Sequence, residues 1–509
     1  MTHRLALLLA TGLALLTLSA AGVDGTASGQ DASSTESILL GTWDIKIGTD
    51  SDTWTFRNGG VVARATQPTL KGEWKKEANC IRIQWDDEVV RGRRTWETFI
   101  LPLKENETRG RSSSGKEVSA TKVKSEQGLE KTSLEDVNPG VRIIGQEEVV
   151  FDWTRDAAEK EDIPDMPARA FRDAAGRVQL IATHFIWRRM IGGELGQVKP
   201  DHHVLMYSHK DADPAQFNDC EWPASIYTLD GNIIYVLVHN EYHGNEHPGR
   251  HAPFRGDWTD GAKGWYNSFT FAQSVNGGYS YTHAPAPGHL LASLPVGWKF
   301  DAGPTGVFQP SNIVCNPKDG HYYALFNACH RIGEEWFVTS IMRTKNLADP
   351  TSWRAWDGKD YTVQFVNPYT CPEDERAKHI FERIAYKEIE SMWQSLTYNT
   401  YFKKYILVGQ ASYEDRLTGK TVHGFCFSLS DNLTDWSPRR LIRRANEGWT
   451  ANEPGPQLNY PSLLDPTDKS RNFEVTGKRP YLYYTEYRAR TPKNEGYDRD
   501  LVRVQLEFE

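Results

Sequence analysis

Apolar and polar residues alternate in short runs over residues 38–123, which predicts a small β domain. The runs 52–56 and 81–85 place an apolar side chain at every second position, the period of a strand with one buried face. Asn58-Gly59-Gly60 follows the first of these runs and is a hairpin signal. We predict a meander or small barrel, joined to the rest of the chain by a charged, polar linker over 124–148.

From Val149 to the C-terminus, a pattern of apolar run, turn and second apolar run occurs five times. Turns such as Asp230-Gly231 and Asp319-Gly320 separate the runs. Four copies carry a proline at the same place in the first run, namely Pro167, Pro223, Pro310 and Pro461, and the fourth copy has Gln394 there. We expect the prolines at the first position of a strand, where no ladder donor is needed.

Units of roughly 50–90 residues that each hold a four-stranded sheet have the size of propeller blades with long loops. We therefore predict an all-β protein in which the small β domain precedes a five-bladed β-propeller over residues 149–509. A β-sandwich with accidental proline spacing is the alternative. The 17 Trp, 22 Tyr and 20 Phe residues agree with either, because flat side chains suit pleated surfaces.

Charge and cysteine content exclude several classes of protein. The net charge is −8, and no basic stripe is present, so nucleic acid is not an expected partner. Six cysteines remain after the N-terminal region, none in a CxxC pair, so they do not indicate a zinc site. Disulfides would be permitted in an exported protein.

The N-terminus predicts export. Residues 1–22 have the form of a signal peptide, with an uncharged apolar run over 5–18 followed by small residues. Residues 23–37 are rich in Ser, Thr and Gly and are expected to be a disordered spacer. We expect a periplasmic or secreted protein. No other stretch of the sequence is apolar enough to span a bilayer.

Polar side chains stand where each predicted inner strand starts and where the next strand ends. In a propeller these positions meet on one face around the axis, and carboxylate, imidazole and amide groups there suit a ligand with many hydroxyls. The expected substrate-binding residues are Arg169, His184, His239, Glu241, His243, Gln309, Asn312 and Asn459. We expect no cofactor. We also expect no metal, because His239 and His243 end a strand, whereas histidines at this spacing share a metal on a helix.

Two segments carry a resemblance to a known family. Arg343…Asn346-Leu347…Trp353 and Ser428…Asn432-Leu433…Trp436 each run from Ser or Arg through Asn-Leu to Trp. They resemble the third-to-fourth strand hairpins of the five-bladed propeller glycoside hydrolases, the superfamily that contains families 43, 32 and 117. The resemblance implies a carbohydrate substrate and hydrolysis of a poly- or oligosaccharide.

The resemblance also implies roles for individual residues. In that superfamily an Asp at the start of the first blade acts as base or nucleophile, and Asp165 fits that position. A Glu from a later blade is the acid, which makes Glu221 and Glu390 the candidates. A further Asp normally tunes the acid, and Gln309 stands at the position in the third blade where that Asp is expected.

Glycoside hydrolysis needs one protonated and one ionised group on either side of the bond. Opposite walls of a propeller channel give a wide separation, so we expect inversion of the anomeric centre. Two alternatives remain. Gln309 favours a non-catalytic carbohydrate-binding propeller, and a sialidase-like exo-glycosidase would need an Arg cluster and a Tyr–Glu pair.

Overall fold

The computed structural model describes residue 39 and residues 41–57, 61–64, 71–76, 80–90, 93–100, 107–112, 114–122, 140–247, 264–300, 302–332, 335–415, 420–445, 457–488 and 497–509. The chain divides into two compact units, Met1–Glu130 and Lys131–Glu509.

The first unit is a closed barrel of eight antiparallel strands. They are β1 (Gly41–Ile47), β2 (Asp50–Arg57), β3 (Val61–Arg64), β4 (Lys71–Lys76), β5 (Cys80–Val90), β6 (Arg93–Ile100), β7 (Glu107–Ser112) and β8 (Glu117–Lys122). The pairing of β1 with β8 closes the barrel. Alternate side chains, among them Trp43, Trp54 and Phe99, fill its interior, so the small β domain predicted from the alternation is confirmed.

The second unit contains five blades of four to six strands each, preceded by β9 (Val141–Ile143), β10 (Glu148–Phe151) and α1 (Trp153–Asp156). Blade 1 consists of β11 (Arg169–Arg172), β12 (Val178–Ile181), β13 (Ile186–Gly192) and β14 (Lys199–Tyr207). Blade 2 consists of β15 (Cys220–Thr228), β16 (Ile234–His243), β17 (Trp265–Ser274) and β18 (Leu290–Ala292).

Blade 3 consists of β19 (Thr305–Pro310), β20 (Val314–Asn316), β21 (His321–Ile332), β22 (Glu335–Thr344), β23 (Arg354–Ala355) and β24 (Val363–Gln364), and α2 (Tyr386–Ile389) follows it. Blade 4 consists of β25 (Ser395–Asn399), β26 (Lys404–Asp415), β27 (Lys420–Ser430) and β28 (Arg440–Arg444). Blade 5 consists of β29 (Gln457–Leu464), β31 (Tyr481–Tyr487) and β32 (Arg499–Phe508), with β10 as its fourth strand; the short β30 (Val475–Thr476) pairs with β25. Short 3-10 helices occupy Leu195–Gln197, Pro214–Gln216, Gly244–Glu246, Pro350–Ser352 and Glu373–His379.

This order confirms the predicted five-bladed propeller, because each predicted repeat forms the first two strands of a blade. Both Leu…Trp segments lie where the resemblance put them, between the third and fourth strands of blades 3 and 4. Leu347 and Trp353 are buried in the core of blade 3, and Leu433 and Trp436 in that of blade 4. The sandwich alternative is excluded.

Contrary to our expectation, none of the repeated prolines is the first residue of a strand; Pro167 precedes β11, and two others mark irregularities in inner strands. The register of β15 shifts at Pro223, and that of β29 shifts between Asn459 and Ser462, around Pro461. Pro310 ends β19. Proline has no N–H to offer the ladder, so it is tolerated where pairing is interrupted.

The propeller ring is closed by a strand from before its first blade. Glu148 pairs with Arg503 and Phe151 with Leu501, so β10 completes blade 5 alongside the C-terminal strand. β9 pairs with the end of the same strand, which extends the propeller N-terminal of Val149 into part of the predicted linker. Buried Glu507 accepts hydrogen bonds from Arg142 and Arg479 at this closure.

Polar side chains join neighbouring blades. Trp187 Nε1 of blade 1 donates to Glu221 O of blade 2 at 2.9 Å, and the Tyr227 and Tyr322 rings of blades 2 and 3 lie with centroids 5.2 Å apart. Asn312 of blade 3 bonds Leu396 of blade 4. Blade 5 is joined to its neighbours by Leu463 N, which donates to Ser395 Oγ at 3.0 Å, and by Ser462 Oγ, which donates to Ala168 O at 2.7 Å.

Two residues that were predicted to bind substrate, Asn312 and Asn459, make contacts between blades instead. Asn312 bonds both the N–H and the C=O of Leu396, and fully buried Asn459 accepts from Gln410 at 2.9 Å. Their amide groups serve the fold, which corrects the prediction for both.

The remaining predictions concern the surroundings of the protein. The predicted signal peptide and the predicted spacer lie outside the described residues. All six cysteines are free thiols. Among the described residues, no helix combines the length and apolar character needed to cross a bilayer.

Asn312→Ala should destabilise the propeller. The substitution leaves the peptide N–H and C=O of Leu396 without partners in a buried junction, which costs about 2–3 kcal/mol of unfolding free energy. Equilibrium denaturation of the variant would measure this loss. Gln364→Ala, which removes an exposed amide from the outer strand β24 of the same blade, should change the stability by less than ~0.5 kcal/mol. Equal effects would contradict the role of Asn312 at the junction.

Candidate active site

Asp165 lies at the centre of a group of side chains from blades 1, 2 and 5. Its Oδ1 accepts hydrogen bonds from Arg499 and from the Tyr460 hydroxyl at 3.2 Å. Its Oδ2 accepts from Trp222 Nε1 at 3.2 Å, and His184 Nε2 lies 3.5 Å from the same oxygen. The side chain is 13% exposed. We call these residues, together with His239, Glu241 and His243, the Asp165 cluster.

The backbone positions each of these groups. Asp165 precedes the inner strand of blade 1, and its N–H donates to Ala182 O at 2.9 Å, which fixes its direction. Tyr460 adopts a φ of +59° at the irregularity of β29, a strained conformation for a residue with a Cβ. That conformation turns the phenol toward Asp165.

The charge partner of Asp165 is Arg499, on the third strand of blade 5. Burial alone would lower the pKa of Arg499, but the negative charge of Asp165 raises it. The guanidinium also lies over the Tyr487 ring, 4.5 Å from its centroid. Burial raises the pKa of Tyr460 well above its ordinary value, with the charge of Asp165 adding to the effect, so the phenol remains a hydrogen-bond donor.

His184 and Trp222 extend the cluster from Asp165 into blade 2. Burial lowers the pKa of His184 to about 4, so its ring is neutral near pH 7. Its Nδ1 is buried and has no hydrogen-bond partner among the described residues. The ring meets Trp222 edge-on with centroids 5.3 Å apart, and Trp222 in turn lies 5.7 Å from the ring of His239.

Three residues on alternate positions of β16 form a hydrogen-bonded unit. Glu241 contacts His239 Nε2 at 2.6 Å through one oxygen and His243 Nε2 at 2.9 Å through the other. Burial would raise the pKa of Glu241, but the charges of and hydrogen bonds from the two histidines lower it. Glu241 is therefore an ionised group near neutral pH.

His243 is the most exposed member of this unit, at 21% of its side chain. Burial alone would lower its pKa, but the hydrogen bond and charge of Glu241, with further charges from Glu246 and Asp219, raise it. Its ring stacks on Trp265 with centroids 5.7 Å apart. The unit thus holds a proton on an imidazole beside a fixed carboxylate.

The two glutamates predicted as the acid lie elsewhere. Glu221 is fully buried and adjoins Trp222 on a strand, where neighbouring side chains point to opposite faces. Since Trp222 faces Asp165, Glu221 points away, toward His209 and His283. We correct the prediction: Glu221 does not reach the cluster.

Glu390 is also occupied outside the cluster. It ends α2, accepts from Ser412 N at 2.8 Å and lies 3.5 Å from Arg439 Nη2. These contacts place it between α2 and blade 4, and the acid role is corrected for this residue too.

Arg169 neither faces the cluster nor pairs with Glu221. It is 3% exposed and donates to the backbone oxygens of Ala224 at 2.9 Å and Gln394 at 2.8 Å. Burial lowers its pKa to about 9, so it stays charged at neutral pH. The guanidinium links blades 1, 2 and 4 across the axis, which corrects its predicted role as a substrate ligand.

Of the predicted residues, the structure therefore brings together Asp165, His184, His239, Glu241 and His243. Gln309 lies beside them, with Nε2 3.9 Å from the sulfur of Met166, the residue after Asp165. Sequence reasoning missed Tyr460 and Arg499. Tyr460 carried a signal, because it immediately precedes the repeated Pro461, whereas Arg499 lies in no repeated segment.

Arg499→Gln should destabilise the protein by leaving Asp165 without its cation. Both side chains are partly exposed, at 20% and 13%, so we expect about 2–3 kcal/mol, less than the ~3–5 kcal/mol of a fully buried broken pair. Urea denaturation measures the loss. The double variant Asp165→Asn/Arg499→Gln should recover most of it, and strictly additive losses would contradict the pairing.

No family model matches this chain, and no curated protein matches its sequence. Several solved structures do match the structure of this chain. A thermostable family-43 glycoside hydrolase is 12% identical with a TM-score of 0.38, covering 68% of this chain and 93% of its own. An α-L-arabinofuranosidase from Lactobacillus brevis is 12% identical with a TM-score of 0.39, covering 70% and 94%. An exo-1,5-α-L-arabinanase from a bovine ruminal metagenomic library is 11% identical with a TM-score of 0.37, covering 68% and 97%. These proteins are glycoside hydrolases, as are the propeller enzymes that the Leu…Trp segments resemble.

Proposed function

We propose that the Asp165 cluster hydrolyses a glycosidic bond of an oligo- or polysaccharide. The observation that supports this most is that one cluster contains a carboxylate held by three hydrogen-bond donors, Asp165, and a proton-holding unit, His239–Glu241–His243. Neutral His184 stands close to Asp165, with Nε2 3.5 Å from Oδ2. Aromatic Trp222 and Trp265 offer ring surfaces of the kind that sugar faces contact.

Asp165 is the proposed general base. A carboxylate has about four acceptor positions, and hydrogen bonds from Arg499, Tyr460 and Trp222 occupy three. Among the described residues, Oδ2 receives one hydrogen bond, from Trp222, so it retains a position for water or a substrate hydroxyl. The three donors hold the carboxylate in one orientation, which general-base catalysis requires.

His243 is the proposed general acid. An acid must carry a proton at the working pH, and Glu241 favours the imidazolium form of His243 by its charge and its hydrogen bond. In that arrangement Glu241 orients the ring, and His243 would deliver the proton to the departing glycosidic oxygen. This replaces Glu221 and Glu390, neither of which reaches the cluster.

We further propose that the reaction inverts the anomeric centre. Retention requires a nucleophilic carboxylate only ~5–5.5 Å from the acid. Here the His184 and Trp222 rings lie between Asp165 and the Glu241 unit, which favours the wider separation that inversion uses. Proton NMR of the first-formed anomer in a fresh digest tests this step.

We also propose that the enzyme acts outside the cytoplasm after cleavage near residue 22. The uncharged run over 5–18 supports this. N-terminal sequencing of the protein purified from its native compartment tests it, and an intact Met1 there would contradict it.

Asp165→Asn should abolish hydrolysis because an amide cannot accept the proton of the attacking water. We expect kcat to fall at least ~10³-fold, near the middle of the range for loss of a general acid or base. The assay is release of reducing sugar from a panel of polysaccharides and glycosyl fluorides. Asp165→Asn/Arg499→Gln is the control that keeps the fold without the buried charge, and activity in that variant would contradict the base role.

The pH profile should report the proton on His243. Its pKa is raised, so the imidazolium persists above the ordinary histidine value of ~6.5, and kcat/KM should fall only as pH rises through the raised pKa. Glu241→Gln removes the stabilising charge and should move this limb to lower pH. In His243→Ala the fall of kcat/KM at high pH should disappear. The rate on natural glycosides should drop by ~10²–10⁴-fold.

Glycosyl fluorides separate the two roles. Fluoride leaves without a proton, so His243→Ala should retain most of its activity on a glycosyl fluoride while Asp165→Asn loses it. Equal losses on both substrate types would contradict the assignment of His243 as acid.

A second candidate is a non-catalytic carbohydrate-binding propeller. It is favoured by Gln309, which stands where the resemblance places a further Asp, and by the positions of Glu221 and Glu390 outside the cluster. Glycan binding by wild type with no product from any substrate of the panel would establish it.

A further inference from the structure

A second polar cluster lies on the opposite face of β15 from Trp222. It consists of His209, Glu221 and His283, whose ligand atoms all lie within 4.8 Å of one another. His209 follows the outer strand of blade 1, Glu221 is on the inner strand of blade 2, and His283 lies between β17 and β18. We call these residues the blade 1–2 triad.

The spacing within the triad is that of ligands around a small cation. His209 Nδ1 lies 3.0 Å from Glu221 Oε2, His283 Nε2 lies 3.4 Å from His209 Nδ1, and His283 Nε2 lies 3.7 Å from Glu221 Oε1. Tetrahedral bonds of about 2.0–2.1 Å to a Zn²⁺ ion place two ligand atoms about 3.4 Å apart. The two histidine nitrogens lie at that separation, and each has one oxygen of Glu221, Oε2 for His209 and Oε1 for His283, within ~0.4 Å of it.

One carboxylate oxygen of Glu221 has no hydrogen-bond donor among the described residues. Its side chain is 0% exposed, and Oε1 has no hydrogen-bond partner among the described residues. The contact with His283 at 3.7 Å is too long for a hydrogen bond. A fully buried carboxylate oxygen without a hydrogen-bond donor is costly, and a bound metal ion would satisfy it.

The hydrogen bonding of His283 prepares its Nε2 as a ligand. Its Nδ1 lies 2.7 Å from Ala284 O, and a carbonyl can only accept, so Nδ1 carries the proton. In the neutral ring Nε2 then presents a lone pair toward Glu221. Metal-binding histidines commonly donate their other ring N–H to a backbone carbonyl in this way.

The backbone holds the triad in place without an ion. Glu221 N donates to Ser208 Oγ at 2.9 Å, and Glu221 O accepts from Trp187 Nε1 at 2.9 Å, both from blade 1. His283 follows Thr282, which exchanges two backbone bonds with Gln273. The ligands are therefore preorganised by three separate segments.

We propose that the blade 1–2 triad binds one divalent transition-metal ion, with a preference for Zn²⁺, and that a solvent molecule is the fourth ligand. Two imidazoles and one carboxylate suit zinc, and calcium would require more oxygen ligands. The His209 side chain is 47% exposed, so the ion has one open side. It would join blade 1, the inner strand of blade 2 and the segment between β17 and β18.

The test measures zinc binding directly and does not depend on any activity. The full chain, without a histidine tag, is treated with chelator and titrated with Zn²⁺, Mn²⁺ and Ca²⁺ by calorimetry. We expect one Zn²⁺ per chain, a rise in Tm with zinc, weaker binding of Mn²⁺ and none of Ca²⁺. Cobalt substitution should give visible bands of a tetrahedral ion without the thiolate charge-transfer band that cysteine ligands produce.

Variants locate the site. His209→Gln and His283→Gln should each weaken Zn²⁺ binding by ~100-fold or more, since even outer-shell changes cost ~10–100-fold. His209 is partly exposed, so its variant should fold. His202→Gln, an exposed histidine on β14, is the matched control and should bind zinc as wild type does. Absence of zinc binding by wild type, binding unchanged in both triad variants, or a thiolate band with cobalt would each overturn the proposal.

Discussion

The structure depends on closure of the ring by β10 against β32. This pairing completes the last blade with a strand from before the first, so all five inner strands must converge on one axis. Asp165, Trp222 and Tyr460 come from blades 1, 2 and 5 and can meet only in a closed ring. Arg499, the cation that balances Asp165, lies on β32 itself, so the strand that closes the ring also carries the charge partner of the candidate base.

Closure also explains why so many polar side chains near the axis do not face a ligand. Asn312, Asn459 and Arg169 bond backbone or amide groups of other blades, because inner strands of different blades do not hydrogen-bond continuously to one another. Each such side chain satisfies peptide groups that would otherwise be buried unpaired. Polar residues at strand starts therefore divide into those that hold the blades and those that reach the Asp165 cluster.

The sequence predicts the fold well because its signals are local. Asp-Gly turns, alternating apolar residues and the Leu…Trp hairpins each act within a few residues, and the five copies are therefore visible without any knowledge of long-range contacts. The closing strand was not predicted, because β9 and β10 are short and their partner lies about 350 residues away in the chain. Arg499 was missed for the same reason.

Side-chain direction is what the sequence does not determine, and Glu221 and Trp222 show why. The two residues are adjacent, yet the register of β15 sends Trp222 to Asp165 and Glu221 to His209 and His283. A prediction that is wrong by one residue in the register of β15 exchanges the two faces of the strand, and with them the surroundings assigned to Glu221 and Trp222. The strand thereby connects two polar clusters through a single peptide unit. Whatever holds Glu221 on one face, whether hydrogen bonds alone or a cation, also fixes the indole that donates to the candidate base on the other.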